Sequence, residues 1–310
     1  MITYSLVELI GNTPLMDLSP MVPEGGARLL VKLEMYNPGG SIKDRPALSM
    51  ITAAEEAGLL KPGMTIVEPT AGNTGIGLAL VGNLKGYKTV FFVPDRMSAE
   101  KIAMMRLYGG EVHLVPKEYG MPECIKMCEE YAEKNGNCYV PQQFANPANP
   151  SQAENILGPE IFEQLGHYPD GIAIGAGTGG TFTGLARWLR NHNPEGTCWL
   201  VQPVGSVFKG GPKGSYQIEG IGNSFIPGTL ELDLADYVCD VADEDSFRRC
   251  KEMGQKFGIL AAGSAGANLH ASIELCSKLG EGKTVVTVFA DSIERYSSKE
   301  WVQNLAKGEI

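Results

Sequence analysis

A lysine just ahead of a predicted helix is the residue best suited to covalent chemistry in this sequence. Lys43 lies in segment 37–45 and precedes a helix expected over residues 46–57. The positive potential at a helix N-terminus opposes protonation of an amine, and a neutral amine can form a Schiff base with a carbonyl cofactor. Taken alone, the segment favours a plainer interpretation, in which Lys43 is a solvated lysine beside Asp44.

Segment 68–77 is rich in small residues and leads into a second predicted helix. Small residues let a backbone approach a ligand closely, and the free N–H groups of a helix start suit a carboxylate or a phosphate. Asn73 could offer its amide to a ring oxygen. A structural turn with an asparagine cap is the alternative interpretation of this segment.

Segment 175–181 follows a predicted strand and opens a predicted helix. Its backbone N–H groups, with the hydroxyls of Thr178 and Thr181, predict a phosphate cradle. The segment also matches G-x-G-x-x-G, which a dinucleotide site would use. Such a site wants an acid at the end of the next strand, but Glu195 precedes that strand and Gln202 ends it. The spacing therefore favours a phosphate.

A fourth glycine-containing segment, 263–266, stands at the start of another predicted helix. Ser264 is a candidate ligand of whatever the other three segments bind. A helix N-cap is the alternative role for this serine.

Strands and helices alternate along the chain, which predicts parallel sheets covered on both faces, with ligands bound beyond the carboxyl ends of the strands. Two such runs, joined by the proline-containing segment 146–150, predict two α/β domains at 1–149 and 150–310, with residues 1–35 packing on the second. The predicted strands are 65–68, 88–93, 111–115, 138–140, 171–175, 198–201 and 284–289. The predicted helices are 46–57, 74–84, 101–107 (capped by Ser98), 121–134, 151–165, 181–192, 243–257 and 265–279.

Composition excludes several classes of protein. A net charge of −10 on 310 residues argues against a nucleic-acid partner. The seven cysteines include no C-x-x-C pair and do not accompany the four histidines at zinc-ligand spacing. We therefore expect buried free thiols, a reducing cytoplasm and no metal. No segment reads as a signal peptide or a membrane span.

Taken together, the four segments give the chain a resemblance to the cysteine synthase and cystathionine β-synthase family, which are fold type II enzymes that use pyridoxal 5'-phosphate. The resemblance covers nearly the whole chain. It implies two three-layer α/β domains with mostly parallel twisted sheets, similar to the tryptophan synthase β-subunit. The matching segments are 10–15, 37–38, 41–45, 69–75, 142–147, 177–181, 219–222, 264–266 and 291–296.

The resemblance also implies roles for individual residues. Lys43 would carry the cofactor as a Schiff base and move the α-proton, and Asn73 would bond the ring oxygen. Ser264 would face the pyridine nitrogen, where a hydroxyl stabilises a protonated ring less than a carboxylate would and so favours β-elimination. The phosphate would be held by Gly177, Thr178, Gly179, Gly180 and Thr181, and the substrate by Thr70, Ala71, Gly72, Thr74, Gln143 and Glu219.

The expected reaction is β-replacement on O-acetyl-L-serine or L-serine by a thiol, giving L-cysteine from sulfide or L-cystathionine from homocysteine. Ala71 replaces the serine usual in cysteine synthases, and Glu219 replaces a common glutamine. The first departure leaves the preferred thiol open. Segment 216–222, which contains Glu219, resembles short bacterial cystathionine β-synthases that use O-acetylserine, as do segments 205–207 and 263–266. A serine or threonine dehydratase and a nicotinamide-nucleotide oxidoreductase are the alternatives. A homodimer with small-molecule substrates is implied by the resemblance.

Overall fold

Two separate sheets form where the strands alternate with helices in the computed structural model, which describes residues 2–70, 72–95, 97–116 and 118–309. The strands are β1 (Leu15–Asp17), β2 (Arg28–Leu33), β3 (Thr65–Pro69), β4 (Lys88–Pro94), β5 (Glu111–Val115), β6 (Cys138–Tyr139), β7 (Gly171–Gly175), β8 (Thr197–Pro203), β9 (Tyr237–Val241) and β10 (Thr284–Phe289). The helices are α1 (Asp44–Glu56), α2 (Asn73–Leu84), α3 (Ala99–Leu107), α4 (Gly120–Asn135), α5 (Ala148–Gln152), α6 (Gly158–Leu165), α7 (Gly180–His192), α8 (Asp243–Phe257), α9 (Gly263–Leu279) and α10 (Glu300–Lys307).

The smaller sheet has the strand order β5-β4-β3-β6, and all its pairs are parallel. Its two central strands, β3 and β4, are buried along nearly their whole length, as a parallel sheet between two helix layers requires. In β4, Phe91 and Val93 pack in one cluster with side chains of α1 and α2. Val90 and Phe92 point the other way, into a cluster with the buried thiols of α4. Side-chain alternation along one strand thus builds two cores.

The larger sheet has the order β1-β2-β10-β7-β8-β9. Only β1 runs antiparallel among the described strands, pairing with β2 at the edge. In β10, Val285 and Phe289 pack with side chains of α8 and α9. Val286 and Val288 pack on the opposite face with side chains of α7. The first two strands of the chain therefore belong to the sheet that also carries β7 and β10.

Most of the predicted elements are found within one or two residues of their expected bounds, and the prediction of parallel sheets covered on both faces is confirmed. Strands β1, β2 and β9 and helix α10 were not predicted. In β2 the run of apolar residues is interrupted by Lys32, so the sequence pattern does not indicate a strand. Every residue of β2 from Leu29 onward is nevertheless buried. The domain boundary at residues 149 and 150 remains a prediction.

One predicted helix is wrong in its detail. Residues 151–165 do not form a single α-helix, because a π-helical turn over Ala153–Leu157 separates α5 from α6. Pro159 lies two residues after the end of that turn. Proline has no amide hydrogen, and its ring would clash with the carbonyl four residues earlier in a regular helix, so a widened turn relieves the conflict. The helix also begins earlier, at Ala148, inside the predicted joint.

Within the described ranges, no helix combines the length and the apolar character that crossing a membrane requires.

Candidate active site

Residues from three of the four predicted segments line one cleft at the carboxyl ends of β7 and β10, where an open parallel sheet binds its ligands. Of the residues expected to bind cofactor, the cleft is lined by Lys43, Gly177, Thr178, Gly179, Thr181 and Ser264. Other parts of its wall come from Ile42, Ile174, Gly175, Gly220, Ile221, Asn268, Val288 and Ala290. Asn73 and Gly180 are not among the residues that line this cleft, and Gly180 is the first residue of α7. Asn73 and the described substrate residues are located by the contacts given below.

Lys43 is the residue that caps α1 at its N-terminus. Its backbone N–H donates to Ser41 Oγ at 3.2 Å, and the N–H of Ile42 donates to Ala290 O at 2.9 Å. The loop is therefore attached directly to the end of β10. Burial lowers the pKa of the Lys43 amine below its usual value, and the negative charge of Asp291 opposes that shift. A half-buried amine with a lowered pKa is suited to act as a nucleophile and a base.

The predicted phosphate segment connects β7 to α7. Gly179 takes a left-handed conformation with φ 90° and caps the helix. The first amides of a helix have no acceptor within the helix, so they point free N–H groups out of its N-terminus. Thr178 is held in place because Asn149 Nδ2 donates to its Oγ1 at 3.0 Å. The end of α7 that faces the cleft therefore offers a preorganised site for an anion.

Glycines near the site allow close contact within the protein rather than with a ligand. A Cβ on Gly77 would lie 2.8 Å from Lys43 O, and a Cβ on Gly177 would lie 2.5 Å from Gly220 O. Side chains of any size at these positions would push apart the backbones that form the cleft. The sequence-based expectation that small residues admit a ligand is incomplete, since helix and loop packing already require them.

Ser264 is 3% exposed and is the second residue of α9. The alternative role as an N-cap is wrong, because Ala262 occupies the cap position. One turn further along the same helix, Asn268 donates from Nδ2 to Val288 O at 2.8 Å. Its Oδ1 is buried and has no hydrogen-bond partner among the described residues. Sequence reasoning missed Asn268, although the spacing of four from Ser264 puts both on one helix face.

The predicted substrate segment folds around the start of α2. Thr70 Oγ1 accepts from the N–H groups of Gly72 and Gly75, both at 3.1 Å. Thr74 Oγ1 donates to Gln143 Oε1 at 2.7 Å, so the structure brings these two predicted residues together. Ala71 lies outside the described residues. The segment presents hydroxyl and amide groups beside a helix N-terminus, which suits a carboxylate.

The buried carboxylate of Glu68 holds the backbone beside Gln143 in place. Glu68 accepts from the backbone N–H groups of Gln142 and Gln143, both at 2.9 Å. Burial raises the pKa of Glu68 to about 7, against the lowering effect of those hydrogen bonds. Gln142 has a positive φ of 57°, unusual for a residue with a side chain. The carboxylate therefore holds a strained turn that no sequence pattern indicated.

Asn73 begins α2 and is bound on both sides of its amide. Its Nδ2 donates to Asp291 Oδ2 at 2.7 Å, and its Oδ1 accepts from Arg295 at 2.9 Å. Tyr296 also donates to Asp291 Oδ2, at 2.7 Å. Residues 291–296 were matched by the sequence but given no individual role, and they hold Asn73 beside the lysine loop.

Glu219 lies between two lysines. Its carboxylate oxygens are 3.1 Å from Lys101 Nζ and 2.7 Å from Lys299 Nζ. Burial would raise the pKa of Glu219, but the two lysines hold it below its usual value. The next residue, Gly220, lines the cleft, and the Lys101 chain contacts Gly72 of the substrate segment. The cluster of Glu219, Lys101 and Lys299 therefore lies between the cleft and the substrate segment.

Comparison with known proteins identifies the family to which this arrangement belongs. The family described as "Pyridoxal-phosphate dependent enzyme" matches residues 6–291. The chain belongs to this family. It is 43% identical to a cysteine synthase of Staphylococcus aureus strain N315 over 95% of each chain. It is 44% identical to an O-acetylserine-dependent cystathionine β-synthase of Bacillus subtilis over 95% of this chain and 96% of that protein.

A solved structure shows the same fold. The O-acetylserine-dependent cystathionine β-synthase of Helicobacter pylori superposes with a TM-score of 0.93 and 38% identity, over 96% of this chain and 98% of that one. The expected fold class and the expected cofactor, pyridoxal 5'-phosphate, are therefore confirmed.

The donor set of this pyridoxal-phosphate enzyme fits its cofactor. The half-buried amine of Lys43 suits the aldehyde, the free amides at the α7 N-terminus suit the phosphate, and the buried hydroxyl of Ser264 suits the ring nitrogen. Asn268 Oδ1 in the cleft wall has no hydrogen-bond partner in the described ranges, so the wall has polar capacity that those residues do not use. Lys43, Asn73, Ser264 and the segment 177–181 would hold the group, which supplies an electron sink.

The structure gives no support to a nicotinamide site. Gln202, at the end of β8, donates from Nε2 to Asp240 Oδ1 at 2.7 Å and accepts from the Phe208 N–H at 3.0 Å. Both ends of its amide are thus engaged within the protein. The family match removes the remaining basis for that alternative, and none of the named relatives is a dehydratase.

Proposed function

We propose that the enzyme catalyses β-replacement on O-acetyl-L-serine by a thiol. The observation that carries the proposal is the cleft itself, in which the Lys43 amine, the α7 N-terminus and Ser264 converge. Support for the substrate comes from the relatives, which include cysteine synthases and cystathionine β-synthases dependent on O-acetylserine.

Lys43 has the properties of the group that would hold the cofactor and then move the proton at the substrate α-carbon. A base near neutral pH is the most effective, and burial lowers the pKa of Lys43 in that direction. The charge of Asp291 limits how far the pKa falls, so the amine can both take up and return a proton. The cofactor, when bound, supplies the electron sink that makes the α-proton acidic.

The start of α2 would bind the substrate carboxylate. Thr70, Gly72 and Thr74 surround the helix N-terminus, where partial positive charge favours an anion. Gln143 is held by Thr74 and by Pro69 O, to which its Nε2 donates at 2.9 Å. One amide hydrogen of Gln143 remains for the substrate, so the carboxylate would meet a rigid set of donors.

The cluster of Lys101, Glu219 and Lys299 supports homocysteine as an acceptor alongside sulfide. Two lysines and one carboxylate carry a net charge of +1 next to the cleft, which favours an acceptor with its own carboxylate. Sulfide has no such group and would depend less on the cluster. The variant Glu219→Gln should therefore change KM for homocysteine more than KM for sulfide.

The visible absorbance of the purified protein tests the proposed function. Addition of O-acetyl-L-serine should shift the absorption band of the bound cofactor, and homocysteine or sulfide should restore it. Mass spectrometry then identifies cystathionine or cysteine as the product. Lys43→Ala is the matched variant and should bind the cofactor without turnover. A wild-type protein that stays colourless after incubation with pyridoxal 5'-phosphate would contradict the proposal.

We also infer that the enzyme is a homodimer working in a reducing compartment such as the cytoplasm. Apolar side chains near the N-terminus are exposed, including Tyr4 at 93% and Leu6 at 45%, which favours a covering partner. All seven cysteines are free thiols. Light scattering on the eluted protein would measure the mass, and a monomer would contradict the first part.

A further inference from the structure

The buried carboxylate of Asp291 is bonded to Asn73, the asparagine that would contact the cofactor ring. Asp291 is 1% exposed. Its backbone is fixed on two sides, because it pairs with Ser41 of the lysine loop and its carbonyl accepts from the Ala262 N–H at 3.2 Å. The residue therefore joins the loop of Lys43 to the loop that precedes Ser264.

The two oxygens of Asp291 are used unequally. Oδ2 accepts from both Asn73 Nδ2 and Tyr296 Oη, each at 2.7 Å. Oδ1 is buried without a hydrogen-bond partner in the described part of the chain. A buried carboxylate of this kind costs free energy unless another interaction uses it. Packing alone therefore does not explain why a carboxylate is found at this position beside the candidate active site.

The partners of Asn73 leave its amide only one orientation. An acceptor, Asp291 Oδ2, lies on one side, and a donor, Arg295 Nη1, lies 2.9 Å away on the other. Rotation of the amide by half a turn would place its oxygen against the carboxylate and its nitrogen against the guanidinium. Both contacts would then be repulsive. Of the two hydrogens on Nδ2, one is bound to Asp291 and the second remains.

We propose that Asp291 is a positioning residue, whose carboxylate orients the Asn73 amide so that its second N–H is available to the ring oxygen of the cofactor. The inference rests on the cofactor assignment and goes beyond it, because Asp291 itself would not contact the ring. Tyr296 completes the arrangement by donating a second hydrogen bond to Asp291 Oδ2. Arg295 fixes the amide oxygen and, through its bond to Gly39 O, the lysine loop.

The experiment is a double-mutant cycle on the affinity of the apoprotein for pyridoxal 5'-phosphate, measured by equilibrium titration of absorbance. Asp291→Ala should weaken binding about tenfold, because that is the change expected when the charge-assisted hydrogen bond from Asn73 to the ring oxygen is lost. In an Asn73→Ala background the same substitution should change the affinity by less than about twofold, because the residue it positions is gone. An equal loss in both backgrounds would overturn the proposal, as would unchanged affinity in Asp291→Ala.

A conservative variant separates orientation from charge and from folding. In Asp291→Asn the amide oxygen can still accept from Asn73 and Tyr296, so we expect affinity within about twofold of wild type. Affinity as low as that of Asp291→Ala would show that charge, not orientation, is what matters, and would overturn the proposal. Wild-type protein that fails to bind pyridoxal 5'-phosphate would refute the proposed function instead, so the two failures are distinguishable.

Discussion

Arg45 Nη1 lies 2.9 Å from Glu160 Oε2, so the helix that begins beside Lys43 is bonded to a helix 115 residues further along the chain. Arg45 also contacts Glu34, with its Nε 2.7 Å from Oε2. Lys32 lies 2.5 Å from the other oxygen of Glu160. These four side chains are almost fully buried and their charges cancel. The network connects β2, α1 and α6.

Removing one charge from this network should destabilise the fold strongly. Glu160→Gln leaves Lys32 and Arg45 to share one carboxylate, and breaking a buried pair costs about 3–5 kcal/mol. We expect the free energy of unfolding, measured by urea denaturation at neutral pH, to fall by that amount. The matched control is Glu130→Gln, which removes an exposed pair with Lys126 at 3.8 Å and should cost at most about 1 kcal/mol. Equal losses in the two variants would contradict the prediction.

The same carboxylate predicts a pH dependence. Burial would raise the pKa of Glu160, but the hydrogen bonds and charges of Arg45 and Lys32 lower it below 4.5. A carboxyl with a lowered pKa in the folded state stabilises the protein above its unfolded pKa, and that contribution is lost as the pH falls. The stability difference between wild type and Glu160→Gln should therefore shrink below about pH 4.5. A difference that stays constant under acid would be inconsistent with this network.

Glu68 should show the opposite pH dependence. Its pKa is raised to about 7, so its folded state binds a proton more tightly than the unfolded chain does. The associated stability is present below the unfolded pKa and is lost as the pH rises through about 7. In Glu68→Gln this titration is absent. We expect wild type to lose about 3 kcal/mol relative to the variant between pH 4.5 and pH 8. Urea denaturation at intervals of pH measures the difference. Burial also raises the pKa of Asp44 to about 7, but both proteins contain Asp44, so its titration cancels from the difference.

Gly77→Ala should separate α2 from α1 at the lysine. The new Cβ would lie 2.8 Å from Lys43 O, closer than a carbon and a backbone oxygen can approach. Overpacking of this kind costs about 1–3 kcal/mol, and here it should also weaken binding of pyridoxal 5'-phosphate. Gly254→Ala is the control, because its Cβ would lie 3.4 Å from Leu260 Cδ2 and α8 should gain about 0.5–1 kcal/mol. Thermal unfolding and cofactor titration of both variants test this, and equal behaviour would refute it.

The fold was largely predictable from the sequence because its signals are local. Strand Gly171–Gly175 is a short apolar run followed by glycines and a helix, so its bounds were predicted as observed. Lys32 shows why β2 was missed. A buried lysine is tolerated only because Glu160, far along the chain, is its partner, and no local pattern reveals that pairing.

The candidate site was predictable from the sequence to about the same extent as the fold. Lys43, Ser264 and the segment 177–181 carry recognisable residue types, and the structure brings Lys43, Ser264 and four residues of that segment to one cleft. Their roles remain predictions, as do those of Thr70, Gly72 and Thr74. Asp291 illustrates what stays hidden. Its bond to Asn73 crosses 218 positions of sequence, so only the folded chain shows that the two residues act together.

The cysteines give the last prediction. Six of the seven thiols are buried, and Cys138 is partly exposed. Burial raises the pKa of Cys124 to about 11 and that of Cys198 to about 12, which suppresses the reactive thiolate. A chromogenic disulfide reagent should therefore react quickly with at most one thiol in the native protein, and with seven in urea. Cys138→Ser should abolish the fast reaction and leave cofactor binding unchanged. Fast reaction of two or more thiols in the native protein would contradict this prediction. It would show that the cores around α4 and β8 open to solvent far more often than their packing implies.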